Sequence, residues 1–399
     1  LAEIVAVNAA VAAETVEPSL KKPATNLYKK FMTGVWRHAA EHGATALIHP
    51  EGHLTDPKAG PLRAGVYPRL RRHWQFVNEM NIFEENTHLL VYGVHVYGRA
   101  RSPSFTQAAN LLLPATLDRS LTHDGSGEPP GIQYPEGGWD VRPHRDRLVH
   151  VNTSVLEAWV RLFDAEGTPA LESRLGRPHT ATDAKVLEVF ARQPRRLSDL
   201  NRHHSQGLNE TTSKQDGTIH WENTRPETMD GVVLQSAHII NGCAIGQEAK
   251  AEWKNNSDWT AVDLENLPTN HVPRTLYQHS VNSSEIDARY PKVDGTPERN
   301  YARIVLRLWV PATGRRTLQA GFASPGTTAV HTVSSVFIAD ERQQLTFGGL
   351  LMAIPYDFIY KANGISHILP STLGGLPFPH TPDAVAHAIN LRTARLAFV

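Results

Sequence analysis

The chain has 399 residues, enough for two or three domains that each bury a core. Its 40 Lys+Arg offset 40 Asp+Glu, so no global basic field marks a small nucleic-acid-binding domain, although a protein of this size can still gather arginines on one face. The single cysteine, Cys243, excludes an intrachain disulfide and a cysteine-rich zinc site, which fits a reducing compartment, the cytoplasm; no apolar run reaches the roughly 18 residues of a membrane span.

The opening Ala/Val-rich run carries Glu3 and Glu14 and no basic segment before it, so it reads as a buried helix and not as a signal peptide. The missing initiator Met hints that the chain begins inside a longer protein. Residues 26–42 carry Leu27, Phe31, Val35, Trp36 and Ala39 at helical spacing, with Gly43 as a stop, and Ala44–His49 is a short apolar strand. A basic helix with Arg63, Arg69, Arg71 and Arg72 is expected next. The runs Trp74–Met80 and Leu89–Tyr97 read as two strands joined by a polar connection, which gives an α/β sheet, mostly parallel, ending in a hairpin.

Residues 100–150 are dense in turn formers and read as surface loops at a domain edge. Helices are expected around Val155–Phe163 and Asp183–Phe190. From about Ile219 short strands and turns take over, at Gly231–Gln235, His238–Ile240, Ala302–Val310 and Val333–Ile338, and helical spacing returns around Gly348–Tyr360.

Three segments carry a resemblance when taken in order: Asn26-Leu-Tyr-Lys-Lys-Phe31, Thr45-Ala-Leu-Ile-His-Pro-Glu-Gly52, and Ile82-Phe83 leading into Val91-Tyr-Gly-Val-His-Val-Tyr97. The set resembles the back half of a DNA adenine-N6 methyltransferase, and the stretch Ile48–Gly60 with Tyr67–Arg71 is closest to large phage-defence and restriction-modification members of the BREX, phage-growth-limitation and DISARM types. Val272–Gln278, Gly314–Leu318 with Ala323–Gly326, and Gly348–Met352 with Tyr356–Ile359 resemble the target-recognition region of the same enzymes.

The resemblance implies a Rossmann-like catalytic sheet whose C-terminal part occupies residues 1–105, a loop-rich and helical insertion over 106–218, and an α+β target-recognition domain over 219–399. It implies S-adenosylmethionine as cofactor, double-stranded DNA as partner, and other defence-system subunits as further partners. Tyr97 would stack on an extruded base, and Asn26, Tyr28, Pro50 and Glu51 would line the pocket. Arg274, Tyr277, Arg303, Arg307, Arg315, Arg316 and Lys361 would contact DNA, since guanidinium forks suit phosphate and the guanine edge.

The sequence departs from the family at the start. The catalytic Asn/Asp/Ser-Pro-Pro-aromatic tetrapeptide and the glycine-rich donor turn are absent, and Glu128-Pro-Pro-Gly131 lacks both the polar head and the aromatic. The catalytic sheet should therefore be incomplete, with Ala44–His49 bordering a missing segment or another chain; a non-catalytic DNA-binding or assembly subunit is the alternative. His49 and His53 are four apart with a glutamate between, but Pro50 and Gly52 break the helix a zinc-hydrolase motif needs, so no metal is expected.

Overall fold

The computed structural model describes residues 26–310, 316–364, 367–368 and 370–397. The opening Ala/Val run and Arg315 lie outside them. The described residues form a mixed α/β protein of several sheets, in two compact units divided after Pro194, with Ala362–Gly364 belonging to the first. Among them no helix is long and apolar enough to cross a membrane.

The first unit opens with α1 (Leu27–His38), capped by the Asn26 side chain, which accepts from the Tyr28 N–H at 3.4 Å, and closed by Arg37 and His38 in a last turn whose dipole favours cations. Then come β1 (Thr45–Pro50), a single helical turn Gly52–Thr55, α2 (Gly60–Val66), β2 (Leu70–Val77), β3 (Val91–Tyr97), β4 (Ser104–Leu111), α3 (Pro114–Leu121), β5 (Val149–Asn152), α4 (Thr153–Phe163) and α5 (Ala181–Ala191). The five strands make one sheet in the order β1-β3-β2-β4-β5. Strands β1, β2 and β4 run one way and β3 and β5 the other, so only β2–β4 is a parallel pair.

Side chains alternate across a strand, and here both faces are buried. One face is apolar, with Trp74 and Phe76 of β2, Tyr92 and Val94 of β3, and Ala108 and Leu111 of β4 packed together. On the other, register aligns His95 with His73 and His73 with Gln107, each at most 1% exposed. A buried polar face of this kind must satisfy its own donors and acceptors, which turns the sheet into the floor of a site.

Strand β1 lies at the sheet's edge. It pairs with β3 from Thr45↔Tyr97 to Pro50↔Tyr92, and among the described residues nothing pairs with its other side, where Ile48 is 60% exposed. Beside it an open groove is lined by Leu27, Phe31, Val35 and Ala39 of the α1 segment and by Thr45.

Several expectations are corrected. Helix α2 ends at Val66, so Arg69 falls beyond it and Arg71 and Arg72 lie in β2. Arg63, the one arginine on that helix, is buried and donates to the carbonyls of His53 at 3.0 Å and Glu172 at 2.9 Å. Strands β4 and β5 flank residues 112–148 and extend the first sheet, and the first compact unit runs past residue 105 to Pro194.

The second unit is built on an antiparallel sheet of β6 (Arg202–Ser205), β9 (Arg303–Arg307), β10 (Ala320–Ala323) and β11 (Val333–Ile338), ordered β10-β9-β11-β6. A separate ribbon pairs β7 (Ile219–Thr224) with β8 (Thr275–His279). Val232, Leu234, Ile239, Val305, Ala323 and Val333 form its core. Helices α6 (Glu341–Met352) and α7 (Asp383–Ala397) pack together through Gly348 and Gly349. A Cβ at Gly348 would meet the Phe322 ring at 2.4 Å, and one at Gly349 the Thr393 hydroxyl at 2.3 Å, so this motif serves close packing.

Candidate functional site: a buried histidine and carboxylate cluster

The end of β1 brings together the most unusual chemistry in the first unit. The strand stops at Pro50, Glu51 turns the chain with φ −99° and ψ 7°, and the Gly52–Thr55 turn carries His53 back over the polar face of the sheet. Glu51, His53, His73 and His95 are 0–2% exposed and His49 is 6% exposed. The Glu51 carboxylate accepts a short hydrogen bond from His73 Nε2 on one oxygen, and the other lies 3.1 Å from Arg177 Nη2. Tyr28, His49 and His95 stack as three layers, with ring centroids 5.1 Å and then 4.0 Å apart.

The outer contacts hold this stack in place. His49 Nδ1 donates to its neighbour's carbonyl, Pro50 O, at 2.9 Å, and its Nε2 meets Tyr97 Oη at 3.3 Å. The Tyr28 hydroxyl accepts from the His53 N–H at 3.0 Å. Gly93, opposite His49 on β3, leaves the cluster its space: a Cβ there would lie 2.3 Å from His95 Cε1 and 2.6 Å from Glu51 Oε1.

Burial disfavours charge, and the electrostatics follow. Burial holds His53 and His95 well below the ordinary histidine value, with the neighbouring histidines adding to it, and it lowers His49 as well. Burial pushes the Glu51 carboxyl up, but His73 and Arg177 beside it outweigh that and leave it below its ordinary value. Burial pushes Tyr28 up to about 12. The centre is therefore an ionised carboxylate beside His49, His53 and His95, which burial keeps neutral. Apart from a weak contact with the Gly93 carbonyl, neither ring nitrogen of His95 has a hydrogen-bond partner, and His73 Nδ1 and His53 Nε2 have none. Buried polar atoms are normally paired, so this concentration of orphans is the signature of the site.

Of the pocket residues expected from sequence, Tyr28, Glu51 and Tyr97 meet through His49, whereas Pro50 is exposed and Asn26 serves as the helix cap. Tyr97 does not line an open pocket. It is 1% exposed, its ring packs against Trp36 at 5.4 Å, and no face is left for a base. The exposed ring at this hairpin is Phe83, at 36% exposure and edge-on to Tyr92 at 4.9 Å. Its loop is clamped by buried Asn78, whose Oδ1 accepts from the Phe83 N–H at 3.0 Å and whose Nδ2 donates to the carbonyls of Phe83 at 3.0 Å and Thr87 at 3.3 Å.

The residues expected to touch DNA are engaged inside the second unit. Arg303 is 0% exposed and donates to Ser335 Oγ at 3.1 Å, Tyr290 Oη at 3.3 Å and the Thr327 carbonyl at 2.9 Å, which makes it a core residue. Tyr277 is buried and donates to Glu210. Arg307 donates to Ile239 O at 2.6 Å, Arg274 to Asn223 O at 3.4 Å and Arg316 to Met352 O, while Lys361 pairs with Asp357 at 3.5 Å. Arg274, Arg307, Arg316 and Lys361 remain partly exposed.

The objection to His49 and His53 as a helical metal pair stands, since one is in a strand and the other in a separate turn. What the sequence reading missed is that His73 and His95, on neighbouring strands, face Glu51. Once β2 and β3 are paired, the alternation of His73 and Gln75 against Trp74 and Phe76 would have placed His73 and His95 on one face.

No protein-family model matches the chain, and no curated protein matches it. Among solved structures it is similar to the type IIG restriction endonuclease BpuSI at 12% identity and a TM-score of 0.33, over 98% of this chain and 47% of that one. The chain spans about half the length of that enzyme.

Proposed function

We propose that the chain is the base-holding and target-reading part of a site-specific DNA adenine-N6 methyltransferase of a restriction or phage-defence system. The observation that carries this reading is the border of the first sheet: among the described residues β1 has one unpaired edge, antiparallel β3 is inserted between β1 and β2, and the β2–β3 loop presents a fixed, exposed aromatic ring. An unpaired edge strand is a template for a further strand. The ordered motif resemblance adds to this.

The residues present do not fit the methyl donor. Among the described residues no glycine-rich turn opens a helix after a strand, and the mainly apolar groove beside α1, which Lys30 and His38 also line, has no carboxylate to hold ribose hydroxyls. Donor binding and orientation of the amine therefore come from outside these 399 residues. The chain's own part is positioning. Phe83 supplies the ring face on which an extruded adenine stacks, worth about 1–3 kcal/mol, and the Asn78 clamp keeps that ring in place. The partly exposed Arg274, Arg307, Arg316 and Lys361 are the candidates for duplex contact.

The test is transfer of a labelled methyl group to adenine N6 in duplex DNA, measured with the complete gene product and any co-encoded subunits. Wild type should label adenine, and Phe83→Ala should do so more slowly at unchanged stability. Duplex binding without any labelling would assign the chain instead to a non-catalytic DNA-binding or assembly role.

A further inference from the structure

We propose that Glu51, His73 and His95 form a buried site for one divalent transition-metal ion of the zinc class. Each offers one donor atom, and the three lie within 4.8 Å of one another. Donors around a tetrahedral zinc at about 2.0–2.1 Å stand roughly 3.4 Å apart, so the set closes on an ion with small ring rotations and no movement of the strands.

Three independent features favour an ion over a purely structural network. His95 is fully buried and, apart from the contact with the Gly93 carbonyl, its ring nitrogens lack a hydrogen-bond partner, so at least one buried nitrogen is left uncompensated by the protein. Gly93 keeps clear the volume next to His95 and Glu51 that any side chain would fill. Arg177 holds the second Glu51 oxygen at 3.1 Å, the outer contact that fixes a ligating carboxylate in orientation. Imidazole and carboxylate together suit zinc and its neighbours, whereas calcium and magnesium prefer a shell made of oxygen alone. The ion takes the place of the proton between His73 Nε2 and Glu51, and the ring ligates as a neutral imidazole by carrying its proton on Nδ1, which has no other partner. With every ligand at most 2% exposed, the ion ties the end of β1 to β2 and β3, and no substrate reaches it.

The whole chain, purified without chelator from zinc-supplemented culture, is analysed for metal and then titrated with zinc and with cobalt(II) after stripping. About one ion per chain is expected, with tetrahedral cobalt(II) absorption in the stripped protein and a rise in melting temperature on adding zinc. Glu51→Gln and His95→Gln should each weaken zinc binding by ~100-fold or more, beyond the usual cost of losing an outer contact, and His203→Gln should leave it unchanged. Circular dichroism identifies any variant that fails to fold, and the cobalt spectrum of the wild type stands without the variants. Wild-type protein with no bound metal, no cobalt band and no thermal response overturns the site, as does metal retained equally by Glu51→Gln and His95→Gln.

Discussion

Both units bury charged and polar side chains against strands, on opposite terms. In the second, Arg303 enters the core with its Nε and one Nη satisfied by a serine, a tyrosine and a carbonyl, and the other expected DNA contacts end on carbonyls or acidic partners. In the first, the β1 end gathers four histidines, a carboxylate and an arginine and leaves ring nitrogens of His53, His73 and His95 without side-chain partners. A buried cation that donates to three acceptors, with one Nη left over, is architecture. A cluster with lone pairs to spare is a site, and the difference lies in the hydrogen-bond accounting and not in the residue types.

Acid is the broadest way to break this comparison. His49, His53 and His95 in the first unit lie below the ordinary value of 6.5, and His204, His238 and His279 in the second are lowered to about 4, all mainly by burial. The folded state keeps them neutral while the unfolded chain takes up protons near 6.5, so their contribution is complete above that pH and is lost as pH falls toward 4. Urea midpoints should therefore drop steeply between about pH 6.5 and pH 5, and His95→Gln should make the drop shallower. A flat profile would mean these rings are solvated.

Next in size is Arg303→Ala, which removes a buried side chain and leaves the Thr327 carbonyl without its donor. It should cost about 3 kcal/mol or more in urea unfolding. A variant of normal stability and weakened DNA binding would return Arg303 to the interface. Phe83→Ala should weaken binding of a duplex with an extrudable adenine by about 1–3 kcal/mol in the complete enzyme while changing stability by less than about 1 kcal/mol. Smallest is Tyr97→Phe. It loses only the contact with His49, so about 1 kcal/mol of stability should go and DNA binding should stay constant. A large binding defect there would restore Tyr97 as the stacking ring.

Much of the fold was legible because local pattern and packing agree. The Leu27–His38 helix, the Thr45–Pro50 strand, the β2–β3 hairpin and the Val333–Ile338 strand all follow from spacing and turn residues. Strand β4 was not, because Ser104-Phe-Thr-Gln-Ala-Ala-Asn-Leu111 mixes small and polar residues, and only its place between β2 and β5 makes it a strand. The cluster was harder still. Glu51, His73 and His95 are scattered along the sequence, and only register joins them. Arg303 was misread because an arginine in the run Arg303-Ile-Val-Leu-Arg307 gives no local sign of which alternate face is interior.

The placement of β1 also bears on how the sheet assembles and opens. Strands β2 and β3 form a hairpin, whereas β1 precedes both and, among the described residues, bonds only to β3, which comes later in the chain. Its pairing spans a longer stretch of chain than the hairpin's, and like β5 it is an edge strand with one neighbour, the kind of strand that frays early. Glu51 directly follows its last residue and reaches across to His73 and His95, so the cluster acts as a clasp on an edge strand of the sheet. Amide exchange along Leu47–Pro50 is the direct reporter of that clasp, fast when it is undone by Glu51→Gln and slow when it is closed.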